Sequence, residues 1–427
     1  MQIGPSSLSK QHQPDRLTSA RATLPRHNGI NLMTRDRLHF LLLNIGHFLD
    51  HLFTLIFATV AALALSREWG LGYGDLLKYA APGFFAFGVF ALPAGWLADK
   101  WSREGMMAVF FVGIGVSSIA TSFAVTPLHV GIGLFVIGMF AAIYHPVGLA
   151  IVVEKWRGTG MRLAVNGVWG NLGVASAALI TGYFIDHGGW RMAFVLPGIV
   201  SILVGLAYTV LMWDDIVAAK PAAKANGATT SLTPDAKAIL LRISIVVFLT
   251  TAISSIVFQS TTFALPKVFA EKLSGLNLSA TMLGQIAFLV FALASIGQLI
   301  VGHFLDKLGP RTVFIAAAGL QLLFFSIMPG LKDYAALICA MAFMLAAFGQ
   351  IPINDYMIGR MAQGDMRARI YGIRYVVSFT VLAAALPLIA FIYEGWGFDA
   401  LFRVLALAAA LILLAVWQLP QRMPTPA

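Results

Sequence analysis

Gly95-Trp96-Leu97-Ala98-Asp99-Lys100-Trp101-Ser102-Arg103 and, 207 residues later, Gly302-His303-Phe304-Leu305-Asp306-Lys307-Leu308-Gly309-Pro310-Arg311 are two versions of one pattern, G-x-x-x-D-K-x-[GS], each closing a long apolar run. A glycine one turn before a helix end permits close helix approach. The aspartate caps or faces the positive N-terminal end of a neighbouring helix, and the bases complete a charge network at the turn. The bland reading is that these charges simply end helices in a short turn, and two copies in register weigh against it. At a shift of 205, Ala141-Ala142 also matches Ala346-Ala347, Met161-Arg162 matches Met366-Arg367, and Gly167 matches Gly372. The chain is built from two related halves.

Composition says what medium those halves occupy. The 427 residues are 59% hydrophobic and 11% charged, where soluble domains carry about 45–50% and roughly 25%. That excess excludes a soluble enzyme. Apolar runs fall at 39–65, 76–98, 105–125, 128–153, 163–185, 192–213, 242–266, 278–304, 312–330, 334–357, 371–393 and 401–419. Each is long enough to cross a bilayer as a helix, the open-ended element whose backbone is satisfied in lipid. The expected fold is therefore an all-α polytopic membrane protein with twelve transmembrane helices in two six-helix pseudo-symmetric bundles.

Residues 39–213 make the first bundle and 242–420 the second. The connection at 214–241 is rich in Ala, Lys, Pro, Asn, Gly, Ser and Thr, the composition of a flexible linker. Residues 1–38 read as a disordered basic tail without a signal-peptide pattern, and 421–427 as a short C-terminal tail. With the N-terminus inside, 21 Lys and Arg fall on the cytosolic side and 7 on the other, with Arg374 left within a span. That bias is what the positive-inside rule reads, so both termini are expected in the cytosol. The net charge of +10 thus reflects topology, and no nucleic-acid partner is expected. The lone Cys339 excludes an intrachain disulfide.

The paired loops resemble the signature loop of the major facilitator superfamily, with parallel six-helix repeats as its architecture. The first copy departs from the family pattern at Ser102, where glycine is usual, and at Glu104, where a second base is usual. Gly46-His47-Phe48-Leu49-Asp50, Ile143-Tyr144-His145-Pro146 and Gly167-x-x-Gly170-Asn171-Leu172-Gly173 further resemble the fosmidomycin-resistance branch, regarded as proton-driven drug exporters. Val174-Ala175-Ser176 follows Gly173 where antiporters of the family carry a proline, which leaves the direction of transport open. The resemblance implies a bacterial inner-membrane carrier whose cavity is lined by the first, fourth, seventh and tenth helices.

Charges in a bilayer centre cost at least about 2.5–3.5 kcal/mol, so each is expected to face an interior cavity. At 100° per residue, Asn44, His47, Asp50, His51 and Thr54 share an arc of about 120° on the first helix, opposite Leu49, Leu52, Phe53 and Ile56. Asp50 lies about 15 Å along that span, near the midplane. It is either a proton carrier assisted by His47 or His51, or a hydrogen-bonded packing residue. His145, beside Tyr144 and ahead of the helix-loosening Pro146, is either its partner across the cavity or a satisfied packing histidine. Thr251, Ser255 and Gln259 with Gln350 and Asn354 either bind solute or bind neighbouring helices. Asp355 and Arg374 are expected to pair as a gate or structural ion pair. Gly95, Asp99, Lys100, Arg103, Gly302, Asp306, Lys307, Gly309 and Arg311 form the cytosolic gate. Trp69, Trp101, Trp190, Trp213 and Trp396 read as interfacial anchors.

No chemistry competes. There is no Walker loop and no H-E-x-x-H, and Gly131-Ile132-Gly133 lies in a helix rather than after a strand. No cofactor and no metal site is expected. The sequence thus points to a secondary transporter that moves a small organic molecule, by proton-coupled export or by proton-coupled uptake of a metabolite or ion. A receptor or scaffold that kept the fold is the remaining alternative. The expected partners are solute, protons and the lipid bilayer, and the expected state is a monomer.

Overall fold

The computed structural model describes residues 32–156, 159–219, 234–361 and 364–420. Most of the basic tail, the core of the linker and the C-terminal tail lie outside the described residues, as do the side chains of Asp306 and Asp355. Ten helices can each cross a bilayer: α1 (Thr34–Glu68), α2 (Tyr73–Lys100), α3 (Arg103–Thr121), α4 (Pro127–Lys155), α5 (Met161–His187), α6 (Met192–Val217), α7 (Leu241–Thr262), α8 (Ala280–Leu305), α9 (Pro310–Ile327) and α10 (Asp333–Asn354). An eleventh stretch, Val376–Trp417, has 42 residues and breaks at Gly397, whose φ of 73° and ψ of −174° are not helical. Only glycine takes such a conformation freely. The break separates α11 (376–396) from α12 (398–417), so the described residues form twelve helices of length and composition suited to crossing a membrane, with no strand among them.

Helical backbone begins at Leu32, earlier than the apolar run suggests. Arg35 explains the extension. Its guanidinium pairs with Asp215 and donates at 3.2 Å to the Leu211 carbonyl, tying the start of α1 to the end of α6. Outward faces carry exposed Leu203, Leu206, Val210, Leu407, Leu411 and Leu414, a surface suited to lipid and costly in water.

The repeat is visible in the packing. In the first half α1 packs on α5, α2 on α4 and α3 on α6; in the second, α7 packs on α11, α8 on α10 and α9 on α12. The halves meet through α5 on α8 and α2 on α11, related by the same shift of six helices. Small residues make the crossings close. A Cβ on Gly138 would sit 2.0 Å from the Gly83 carbonyl, and one on Gly284 would sit 2.4 Å from the Ala178 carbonyl.

Contacts between the halves run from Asn171–Gln298 (3.0 Å) at mid-helix to the face opposite the termini. There Tyr73 meets Tyr393 edge-on at 5.5 Å, Lys78 lies 3.8 Å from Glu394, and Asp186 of α5 caps the start of α8. Asp186 accepts from the Thr281 amide at 2.7 Å and from its hydroxyl at 2.6 Å. A carboxylate on a helix N-terminus meets both unpaired amides and the positive end of the helix dipole. Replacing Asp186 with alanine should therefore loosen this face by about 0.5–2 kcal/mol, the worth of a solvent-screened helix cap. A cysteine placed at Ala280 should become more reactive to a membrane-impermeant maleimide; unchanged labelling would show that the cap does not hold the halves together.

Candidate functional site

The polar arc of α1 faces α4 and α5. His47 is fixed first: its Nδ1 lies 2.8 Å from the Asn166 carbonyl oxygen, and its ring stacks on Tyr144 at 4.8 Å. The approach of α5 is possible because residue 170 is glycine. A Cβ there would lie 2.6 Å from His47 Nε2, and a Cβ on Gly173 would lie 2.2 Å from the Phe48 carbonyl oxygen. Gly167, the first glycine of the same motif, has open space around it and plays no such part.

One turn further along α1, Asp50 is fully buried, with 0% of its surface exposed. Its Oδ2 lies 3.4 Å from His145 Nε2, and neither carboxylate oxygen has a well-formed hydrogen bond among the described residues. His145 reaches it because α4 does not stay α-helical. Residues Tyr144–Gly148 form a π-helical turn around Pro146, which lacks the amide that would continue the ladder. His51 completes the group, edge-on to His145 at 5.5 Å and 5.0 Å from the ring of His47. Facing it from the second half, Phe379 of α11 packs on Phe87 at 4.2 Å, and both rings flank His145. Thr54, half-buried one turn beyond, adjoins a small apolar pocket lined by Phe53, Phe57, Phe84, Phe87 and Phe263.

Two residues assigned to the cavity are used elsewhere. Tyr144 is wholly buried; its hydroxyl donates to the Leu43 carbonyl at 2.8 Å and accepts from Asn166 Nδ2 at 2.9 Å. Asn44 accepts from the same amide at 2.9 Å. Both join α1, α4 and α5 rather than facing open space. Asn166, the hub of this network, has no signal in the sequence beyond being polar inside a span.

In the second half, Gln350 donates to Ser254 at 2.7 Å and accepts from Gln321 at 2.6 Å, linking α7, α10 and α9. Ser255 meets Ser378 of α11 at 2.9 Å and returns a bond to the Thr251 carbonyl at 2.8 Å. Asn354 lies within 3.4 Å of Thr250. These side chains bind neighbouring helices. By contrast, Thr251 Oγ1 and Gln259 Nε2 are buried without a hydrogen-bond partner among the described residues, which leaves their capacity for a solute. Gln321, Ser254 and Ser378 are contributors that sequence reasoning did not single out.

The signature loops behave differently in the two halves. Asp99 pairs with Arg103 at 2.8 Å, and Arg103 also pairs with Glu154 at the end of α4. Gly95 admits Pro146, whose Cβ lies 3.4 Å from the position a Cβ would take. Gly302, however, faces open space, so close approach is not its role. The turns also differ. Ser102 is extended and caps α3 by accepting from the Gly105 amide at 3.0 Å, whereas Gly309 takes a φ of 77°. Arg311 donates to the Trp417 carbonyl at 3.1 Å, and Lys100 and Lys307 are exposed. Arg374 is partly buried, while its expected partner Asp355 lies outside the described side chains. Trp101, Trp213 and Trp396 are exposed as anchors should be, but Trp190 is buried and donates to Glu68 at 2.7 Å. Its indole joins the loop before α6 to the end of α1 instead of meeting headgroups.

The described residues thus place a buried carboxyl beside three imidazoles inside the first of two repeated helical bundles. The family model of the Major Facilitator Superfamily matches residues 43–276 and 247–427, and the chain belongs to that family. It is 28% identical over 175 residues to the niacin transporter NiaP of Acinetobacter baylyi, covering 39% of each chain. It is 28% identical over 169 residues to the puromycin resistance protein pur8 of Streptomyces alboniger, covering 38% of this chain and 34% of that one. The aligned region thus spans less than two-fifths of these relatives. The fold matches a bacterial homologue of the human lysosomal transporter Spinster, in an inward-facing and unoccupied conformation. That match has a TM-score of 0.69 at 14% identity and covers 92% of this chain and 99% of the other.

Proposed function

We propose that the protein is a secondary active transporter of the bacterial inner membrane that moves a small organic solute by alternating access, coupled to protons and working as an exporter. In this reading both termini are cytosolic, the monomer is the working unit, and the face closed by Asp186, Lys78 and Glu394 is periplasmic. The carrying observation is Asp50, an acid wholly buried at mid-span and 3.4 Å from the His145 imidazole. A charge there is expensive unless it is paired or exchanges its proton. Binding a proton on one side and a solute on the other gives the two bundles a differential free energy between their states, which is what a coupled conformational change requires.

His51 and His47 adjoin His145 beside the acid, and Thr251 and Gln259 offer unpaired hydrogen-bonding groups to the solute from α7. The Asp99–Arg103–Glu154 and Asp186–Thr281 contacts lie on opposite faces and suit gates that open in alternation. Export is supported by the likeness to the fosmidomycin-resistance branch and by pur8, named as a resistance protein. Uptake is supported by NiaP, named for a metabolite. Vesicles with an imposed pH gradient separate the two. In an exporter, solute accumulates on the side with higher proton concentration; accumulation on the other side makes the protein a symporter.

A further inference from the structure

We propose that His47, His51 and His145 form a binding site for a divalent transition-metal cation, with the Asp50 carboxyl beside His145 as its neighbouring counter-charge. The site uses the histidine–aspartate group described above and rests on that reading only in taking the group to be reachable by a small solute.

The three imidazoles each bring one ring nitrogen within 4.8 Å of the others. Two of them are four residues apart on α1, the helical spacing that sets two imidazoles on one face for zinc. The third arrives from α4 through the π-helical turn at Pro146. With bonds of about 2.0–2.1 Å, the nitrogens of a tetrahedral site lie roughly 3.3 Å apart. The closure needed is about 1.5 Å, within reach of side-chain rotation, since His51 and His145 are only partly buried.

Two details favour a metal over simple ring packing. His47 Nδ1 is engaged by the Asn166 carbonyl, which must accept, so Nδ1 carries the hydrogen and Nε2 keeps its lone pair. Ligating histidines in metal sites are held by this same outer contact. Asp50 then supplies an anionic oxygen that is buried, without a well-formed hydrogen bond among the described residues, and 3.4 Å from one of the ligating rings. Its charge offsets the cost of placing a dication in a low-dielectric interior. Three imidazoles select Zn2+, Ni2+ or Cu2+ over Mg2+ and Ca2+, which favour oxygen. Metal and proton are alternative occupants of these atoms.

The test uses the full chain, purified through a tag free of histidine, stripped with EDTA and held in nanodiscs at one pH near neutrality. Co2+ is titrated in while visible d–d absorption is read, and Zn2+ is then used to displace it. One Co2+ per chain with a tetrahedral band is expected. His51→Ala and His145→Ala should each weaken binding by about tenfold or more, whereas His303→Ala, on an exposed position away from the site, should not. Absence of a band, or equal binding by a His51→Ala/His145→Ala double variant, overturns the proposal. Gradient-driven solute transport by the parent protein in metal-free buffer is scored separately. If transport persists and Co2+ does not bind, only the metal site falls; if Co2+ binds and no transport is found with any solute, the transport reading falls instead.

Discussion

Vesicles containing Asp50→Asn protein should show no more pH-gradient-driven solute movement than vesicles without protein, while exchange of labelled for unlabelled solute across the same membranes continues. The substitution keeps the shape of the side chain and removes its ability to gain or lose a proton. Exchange needs only that the loaded carrier reorient, whereas accumulation needs the proton to contribute to the difference between its two states. The protein should fold. Neither oxygen of Asp50 has a well-formed hydrogen bond among the described residues, so the amide forfeits little, and a neutral group costs less to bury than a charged one. Thermal unfolding of the variant is expected at or above the parent temperature. Full accumulation by the variant would remove Asp50 from the coupling mechanism.

The second large effect is structural and comes from one glycine motif. In Gly173→Val, the new Cβ would lie 2.2 Å from the Phe48 carbonyl oxygen and 2.9 Å from its carbon. Backbone on the facing helix cannot swing aside as a side chain does, so α1 and α5 must separate. Overpacking costs about 1–3 kcal/mol where a core can adjust, and this contact belongs to the upper end or beyond. A clear fall in unfolding temperature or in folded yield is expected. Gly167→Val, six residues away with open space around it, should leave both unchanged. Gly170→Ala lies between these cases. Its Cβ meets His47 Nε2 at 2.6 Å, a ring that can rotate, so the protein should fold but transport should fall as His47 leaves its place beside His51. Equal stability of all three variants would show that the α1–α5 crossing is looser than these distances imply.

Much of this molecule is legible along the chain. Apolar runs of span length, the paired Gly-x-x-x-Asp-Lys loops and the polar arc of α1 are local patterns, set by residue type and spacing, and they carry the twelve-helix fold and the address of its polar centre. Their weakness is that hydropathy treats every polar residue in a span alike. Asn44 and Tyr144 stand in the same pattern as Asp50 and His145, yet their hydrogen bonds are consumed by Asn166 between helices. Trp190 sits near a span end like the anchoring tryptophans but is closed over by Glu68 and its neighbours.

What only the tertiary structure decided is the company each polar group keeps. His145 is distant from Asp50 in the chain, and a π-helical turn at Pro146 together with glycine-set helix crossings brings the two to 3.4 Å. The same geometry turns two histidines one helical turn apart into a group of three. Residue spacing determines the face a side chain occupies on its own helix, because that depends on 3.6 residues per turn. Which other helix that face meets depends on crossings built from contacts far apart in sequence, and no local period encodes them.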